Sequence, residues 1–187
     1  MIRISKNDLH AILAQHRYWL ETNFTQGAMA NLCGVDLSEQ NLSRYDFRLA
    51  DMRGANFSKC NLSEAVFYKA NLSQACFSKA NLSKAFFTEA DLRWANFDKA
   101  NMREANLCLA NLSESYIGEV DLSQANLSQA NLSSANLSKS NLNRVDLKGA
   151  NLSGAALVEA DLSYSDMRGA DLSWADLRWA NLTWAAQ

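Results

Sequence analysis

The chain repeats itself every five residues over almost its whole length, and no insertion breaks the register. The stretch 125–138 shows the repeat most purely, reading Ala-Asn-Leu-Ser-Gln-Ala-Asn-Leu-Ser-Ser-Ala-Asn-Leu-Ser. From Ala30 to Trp184 the repeat fills 155 residues, or 31 pentads. An α-helix needs apolar residues at a spacing of about 3.6 and a strand needs a spacing of about two, so this period fits neither. The chain must therefore turn once per repeat.

The five positions of a pentad differ in chemistry. The third position, called the centre, is always large and apolar, with 21 Leu, six Phe, three Met and one Ile. The first position is Ala in 22 pentads, the second is Asn or Asp in 26, and the last two are mostly polar. We predict a short extended side with its first and third positions inward, followed by a turn that Asn and Asp favour. Successive coils would stack like parallel strands, and the absence of proline agrees.

This Ala-Asn/Asp-Leu-Ser-X pattern resembles the pentapeptide-repeat family over about five-sixths of the chain. The resemblance implies an all-β solenoid, a right-handed quadrilateral parallel β-helix with four pentads per coil. The spacing of the phenylalanine centres agrees, because in a four-sided coil residues ten apart fall into two stacks on opposite sides; these are Phe47, Phe57, Phe67, Phe77, Phe87 and Phe97. The repeat would then make about 7.75 coils, and the rod would be about 37 Å long at a strand spacing of ~4.8 Å.

Residues 1–29 lack the repeat and are predicted to form an N-terminal α-helical cap. Ser5 followed by Asp8 is typical of a helix start, and Gly27 is a plausible stop, so we expect a helix over residues 7–23. Its apolar stripe would consist of Leu9, Ile12, Leu13, His16, Leu20 and Phe24. The cap would cover the open edge of the first coil. The predicted organisation is the cap at 1–29, the β-helix at 30–184 and a tail at 185–187.

The sequence predicts a cytoplasmic protein. No apolar run approaches the length of a membrane span, and charged residues interrupt any signal-peptide core near the N-terminus. The four cysteines have no metal-ligand spacing, so we expect free thiols, with Cys60 facing inward and the others outward; the others are Cys33, Cys76 and Cys108.

The predicted interior indicates a function without catalysis. A coil filled by Leu, Phe and Ala offers no pocket with convergent polar groups, and a lone histidine on a helix face, such as His10 or His16, is usually structural. We expect no cofactor, no metal, no direct nucleic-acid binding and no membrane binding. The favoured hypothesis is a rigid, non-enzymatic scaffold that binds a protein partner through its outer faces.

The family resemblance implies an alternative function, a DNA-mimicking modulator or protector of DNA gyrase, a type II topoisomerase. Mimicry of DNA requires a strongly anionic surface. The second half of the repeat, residues 106–184, has nine acidic and five basic residues, whereas the net charge of the whole chain is only −2. The candidate acidic collar consists of Asp146, Glu159, Asp161, Asp166, Asp171 and Asp176.

Two surfaces are candidate contact sites. On one side of the rod, Val66 and Phe86 replace the usual Asn or Asp, and further apolar residues lie nearby; this candidate partner face comprises Val66, Tyr68, Phe86, Cys108 and Leu109. Neutral surface variation is the alternative. A column of lysines, Lys59, Lys79 and Lys99, could meet an anionic partner, or could be a solvated face balanced by nearby acids.

The C-terminal coil is the candidate homodimer contact, because its core and backbone edge would otherwise be uncovered. Three tryptophans on successive sides would ring that end; the contact residues are Leu172, Trp174, Leu177, Trp179, Leu182 and Trp184. The family resemblance implies pairing through C-terminal coils, whereas the acidic collar opposes it. Alternatively, the tryptophan rings fold over the rim and cover the core themselves.

Overall fold

The computed structural model describes residues 1–187 and shows a four-sided solenoid. Every bridge in the repeat joins residue n to residue n+20 in parallel, from Asn31 with Asp51 to Asp166 with Ala186. One coil therefore takes 20 residues and four pentads. We number the sides as faces 1 to 4 in chain order, with the first centres at Leu32, Leu37, Leu42 and Phe47.

Regular strands are nearly absent, although the ladder is continuous. Each side contributes a single bridge, because the chain turns again after two or three extended residues. The regular strands are β1 (Ile2–Arg3) and β2 (Val35–Asp36), which pair in parallel. The sequence did not predict β1, which adds a strand before the first coil.

The pentad 130–134 shows how the backbone amides are used. The N–H of its second residue donates to the preceding coil at 2.9 Å, and those of its third and fifth residues donate to the following coil at 2.7 and 2.9 Å. The N–H of its first residue closes a turn onto the preceding centre at 3.0 Å. The N–H of Ser133 donates to Oδ1 of Asn131 at 3.1 Å. All five amides of the pentad are thus satisfied.

Each corner of the coil contains one residue with a left-handed backbone. This is the fifth residue of every pentad, with φ between 54° and 72°, and only five of these 31 residues are glycine. Asn and Asp were expected to favour the turn because their side chains bond nearby backbone and tolerate unusual dihedrals. The bond to nearby backbone is present, whereas the left-handed conformation falls on the fifth residue and not on Asn or Asp. Side chains such as Lys79 and Trp94 take the left-handed conformation instead.

The interior is filled by the centres and first-position residues. The phenylalanine centres form two stacks as predicted: Phe47, Phe67 and Phe87 have ring centroids 5.2 and 4.7 Å apart. Phe57, Phe77 and Phe97 form the second stack, at 5.1 and 4.9 Å. The two stacks meet edge-to-face at 6.1–6.3 Å. This arrangement combines apolar burial with favourable aromatic geometry.

The N-terminal segment contains one helix, α1 (Lys6–Glu21). Its start follows the prediction, because the Ser5 hydroxyl accepts from the Asp8 N–H at 3.1 Å and the Asp8 carboxylate accepts from the Ser5 N–H at 3.3 Å. Leu9 and Leu13 belong to the same apolar cluster as the solenoid core, and His16 is also buried. The helix therefore lies against the first coils.

The end of α1 differs from the prediction. The helix stops at Glu21, and both Asn23 and Phe24 take left-handed backbone conformations, so Phe24 leaves the apolar stripe and is 54% exposed. Gly27 does not stop the helix. It lets the returning chain cross α1, since a Cβ there would lie 2.5 Å from the Gln15 carbonyl oxygen and 2.7 Å from the Trp19 nitrogen.

Burial of the centres is complete from Leu32 to Met167 and fails in the last coil. Leu172, Leu177 and Leu182 are only half-buried, because no following coil covers them. The first position also has exceptions near the other end, where Gln40 is half-buried and Tyr45 is 36% exposed. The prediction that the centres and the small first-position residues are buried throughout is therefore wrong in the last coil, where Ala170, Ala175 and Ala180 are also half-buried. Gln40 and Tyr45 are the two large polar residues at the first position and were not part of that prediction.

Candidate interaction surface

The second position of the pentad follows a strict hydrogen-bonding rule. In each of the 26 pentads with Asn or Asp there, Oδ1 accepts the N–H of the residue two positions later, at 2.8–3.3 Å. Five pentads depart from the rule, at Val66, Cys76, Phe86, Tyr116 and Ala156. In these five, that N–H has no partner in the chain. Each departure therefore removes a hydrogen bond from the fold.

The five departures lie on only two of the four faces. Val66 and Phe86 are bridge partners on face 4. The other three, Cys76, Tyr116 and Ala156, lie on the opposite face 2, with one coil between successive members. The face 4 pair was predicted from the sequence, whereas the face 2 set was not. The signal was available, because these three residues are spaced 40 apart, which is two coils.

The candidate partner face lies on face 4 and is partly contiguous; we call it the face-4 patch. Val66 and Phe86 are adjacent, and Phe86 is 45% exposed. Tyr68 is half-buried, with the Lys69 ammonium 5.0 Å from its ring centroid. Cys108 and the 48% exposed Leu109 lie on the coil after Phe86. Thr88 and Glu89 separate this last pair from Tyr68, so the patch has a compact core and an outlying part.

The charges around the patch are mostly paired with each other. On one border, Arg44 makes two hydrogen bonds of 3.1 Å to Glu64, which lower the pKa of the Glu64 carboxyl. Farther along the same border, Lys84 lies 3.5 Å from Glu104. On the other border, Lys69 lies 3.2 Å from Glu89. Exposed pairs of this kind stabilise a fold by about 0–1 kcal/mol. They leave the rim of the patch close to neutral.

The lysine column and the acidic collar are also partly neutralised. Lys59 pairs with Glu39 at 2.9 Å and Lys99 with Glu119 at 3.7 Å, whereas Lys79 has no ion pair. In the collar, three of the six carboxylates form ion pairs. Asp146 pairs with Lys148, Asp166 pairs with both Lys148 and Arg168, and Asp176 pairs with Arg178. The nearby Arg178 holds the pKa of Asp176 below its usual value.

The C-terminal end presents an unpaired backbone edge and exposed tryptophans. The N–H groups of Leu172, Leu177 and Leu182 donate to no group in the chain, whereas the equivalent groups of earlier coils bond the next coil. Trp174 is 95% exposed, and Trp179 and Trp184 are 76% and 75% exposed. The structure therefore contradicts the alternative in which the tryptophan rings fold over the rim. Instead the rings project outward around a half-covered core.

An open cavity of about 520 Å³ lies at the other end, between α1 and the start of face 4. We call it the α1 groove. The helix lines it with His10, Leu13, Ala14 and Arg17, and the solenoid lines it with Ser43, Arg44, Tyr45 and Asp46. The solenoid interior itself is packed, so this groove is a surface feature. The sequence did not reveal it, because it depends on where α1 lies.

The repeat geometry agrees with comparisons to known proteins. A model of pentapeptide repeats in eight copies matches residues 30–67, 110–154 and 146–183, and a model of a pentapeptide repeat region matches residues 50–127. The chain belongs to the pentapeptide-repeat family. Members of this family form right-handed quadrilateral β-helices, which agrees with the 20-residue coil.

Among solved structures of this family, the chain is 32% identical to HetL, a pentapeptide-repeat protein involved in heterocyst differentiation regulation in the cyanobacterium Nostoc sp. strain PCC 7120. That match covers 83% of this chain and 86% of HetL, with a TM-score of 0.36. Trypsin-treated QnrB1, a plasmid-mediated fluoroquinolone resistance protein, is 22% identical, with a TM-score of 0.52 and coverages of 78% and 81%. No curated protein matches the chain.

No helix in the structure has the length and apolar character needed to cross a bilayer. A pentapeptide-repeat protein from the thylakoid lumen of Arabidopsis thaliana is 28% identical; the match covers 67% of this chain and 63% of that protein, with a TM-score of 0.24. The cytoplasmic location expected from the sequence stays a prediction.

Proposed function

We propose that this pentapeptide-repeat protein is a non-enzymatic scaffold that binds a protein partner through the face-4 patch. The observation that carries the proposal is the loss of two hydrogen bonds, because Val66 and Phe86 provide no side-chain acceptor for the N–H groups of Tyr68 and Thr88. Each lost bond lowers stability by roughly 0.5–1.5 kcal/mol. Val66 and Phe86 therefore lower stability and also expose apolar surface. We expect such residues at a binding surface, because exposed apolar patches mark sites of protein contact. In this proposal α1 caps the first coil and leaves the faces free for contacts.

A pull-down with matched variants tests this function. The variant Phe86→Asn restores the family residue and supplies an acceptor for the N–H of Thr88, so it should fold at least as well as the original chain. We expect the original chain and the control Lys79→Asp to retain the same protein from an extract of the native cells. We expect Phe86→Asn and Phe86→Asp to lose it. Equal retention by all four proteins would refute the role of face 4.

We also propose that two copies of the chain pair through their C-terminal coils. Support comes from the unpaired N–H groups of this coil and from the exposed rings of Trp174 and Trp179. Light scattering at tens of micromolar should give twice the 20.8 kDa of one chain. The double variant Trp174→Glu/Trp179→Glu should give the single-chain mass, with Trp94→Glu as the control for an exposed tryptophan elsewhere. A monomer for the original chain would refute the proposal.

The gyrase hypothesis stays as the second candidate. It is favoured by the acidic excess of residues 106–184 and by Glu159, Asp161 and Asp171, which make no ion pair. It is disfavoured by the pairing of the other collar carboxylates and by the small net charge of −2. A supercoiling assay with and without a quinolone decides it. Unchanged gyrase activity in both conditions, at a large excess of the rod, would eliminate this candidate.

A further inference from the structure

The α1 groove and the face-4 patch form one continuous track along the rod. Tyr45 and Asp46 line the groove, and Asp46 is the bridge partner of Val66, which is in turn the bridge partner of Phe86. From Asp46 to Phe86 the track advances two coils, or about 9.6 Å. The groove thus opens directly onto the apolar core of the patch.

The two ends of this track differ in charge. Arg17 and Arg44 both line the groove, and each side chain is 76% exposed. Their ion-pair partners, Glu21 and Glu64, are not part of the groove lining. The acidic group in the lining, Asp46, is held by Arg48 at 2.7 Å. The lining itself therefore has two arginines and one carboxylate, with each arginine also paired to a glutamate outside the groove, whereas the patch beyond it is apolar and has a rim of paired charges.

Backbone donors without partners lie on the patch itself. The N–H groups of Tyr68 and Thr88 donate to no group in the chain. In other pentads the Oδ1 of Asn or Asp accepts this N–H, whereas the side chains of Val66 and Phe86 have no acceptor. An extended peptide can supply carbonyl acceptors to such donors, whereas a smooth apolar surface cannot. This favours a segment with an accessible backbone over an amphipathic helix, whose carbonyls are used internally.

We propose that the track binds an extended segment of a partner protein, with an acidic side chain in the α1 groove and a large apolar side chain against Val66 and Phe86. The proposal rests on the proposed function and specifies the partner chemistry. An extended chain advances ~3.3 Å per residue, so the step of about 9.6 Å places the apolar side chain about three positions along the peptide from the acidic one. The carboxylate would bind Arg17 and Arg44, which favour such pairing through their planar guanidinium groups.

Selection from a displayed library of random 12-residue peptides on the immobilised full chain tests the proposal. We expect enriched peptides with Asp or Glu, followed about three residues later by Leu, Ile, Phe or Trp. Fluorescence anisotropy with the best labelled peptide should show binding weakened about tenfold or more by Phe86→Asn and by Arg44→Gln. The control Arg144→Gln lies on the same corner of the rod, five coils away, and should leave the affinity unchanged.

Each other outcome contradicts a specific part of the proposal. Peptides that lack an acidic residue, and that need Phe86 but not Arg44, would overturn the groove while leaving protein binding by face 4 intact. Peptides insensitive to both variants would overturn the whole track. An absence of enriched peptides would overturn recognition of an extended segment, and the pull-down with Phe86→Asn would then decide independently whether a folded partner binds.

Discussion

The hydrogen bond that Asn or Asp accepts at the second position of a pentad can be tested on face 2. One substitution removes the bond on one coil, and another adds it on the next coil. Oδ1 of Asn136 accepts the N–H of Ser138 at 3.0 Å, and Asn136→Ala deletes that bond. One coil later, Ala156 leaves the N–H of Val158 without a partner, and Ala156→Asn supplies the acceptor. A hydrogen bond contributes about 0.5–1.5 kcal/mol net. We therefore expect Asn136→Ala to lower, and Ala156→Asn to raise, the free energy of unfolding by about 1 kcal/mol.

Urea denaturation followed by far-UV circular dichroism measures both changes. If the slope with urea concentration stays constant, the two midpoints should shift in opposite directions. The control Ala156→Leu has nearly the shape of Asn without the acceptor, so it should not reproduce the gain. The proposed role of the Asn side chain would be refuted if Ala156→Asn did not stabilise the protein, or if Ala156→Leu stabilised it equally. In either case the preference for Asn would not come from the N–H of the residue two positions later.

Three further predictions concern buried residues. Leu132→Ala should lower the free energy of unfolding by about 2–5 kcal/mol, because Leu132 is fully buried and a cavity would replace its side chain; urea denaturation measures this, and a loss near zero would contradict the packed core. His16 is buried, its Nδ1 accepts the N–H of Ala30 at 3.1 Å, and burial lowers its pKa from the ordinary 6.5. The folded protein therefore favours neutral His16, and the contribution of neutral His16 to stability is complete above pH 6.5 and is lost as the pH falls below that value. The melting temperature should therefore drop between pH 7.5 and 5.5 by less in His16→Gln than in the original chain. Burial raises the pKa of the Cys60 thiol to about 11. At pH 8 a thiol reagent should therefore modify the exposed Cys33 and leave Cys60 unmodified until the protein unfolds. Rapid modification of Cys60 in the folded Cys33→Ser variant would contradict its burial.

The period of the sequence determined most of the fold in advance. Five-residue spacing requires a turn in each repeat, and the family resemblance implied four sides. The ten-residue spacing of the phenylalanines agreed with four sides, as their two stacks show. The left-handed corner was not predictable from residue type, because Lys, Glu and Trp rarely take that conformation alone. They adopt it here because ladder bonds on both sides of the turn hold the backbone in place.

The parts outside the repeat were less predictable. The Ser5 and Asp8 pair located the start of α1 because capping is a local interaction. The end of α1 depends on left-handed residues at Asn23 and Phe24, and β1 depends on contact with β2 about 30 residues away. The α1 groove likewise depends on how the helix lies on the first coil. Local sequence patterns contain no information on these longer-range contacts.

The candidate surface was partly predictable because a substitution affects the hydrogen bonding of the backbone at some pentad positions and not at others. At the fifth position the backbone is left-handed whatever the side chain, so charges such as Lys79 and Glu89 vary there without loss of a bond. At the second position every departure from Asn or Asp leaves an N–H unpaired. Variation at the fifth position therefore says little about function, whereas variation at the second position requires compensation. Faces 1 and 3 keep Asn or Asp in every pentad, and all five departures lie on faces 2 and 4. The stability lost at Val66 and Phe86 lies on face 4, where contacts with a partner would offset it.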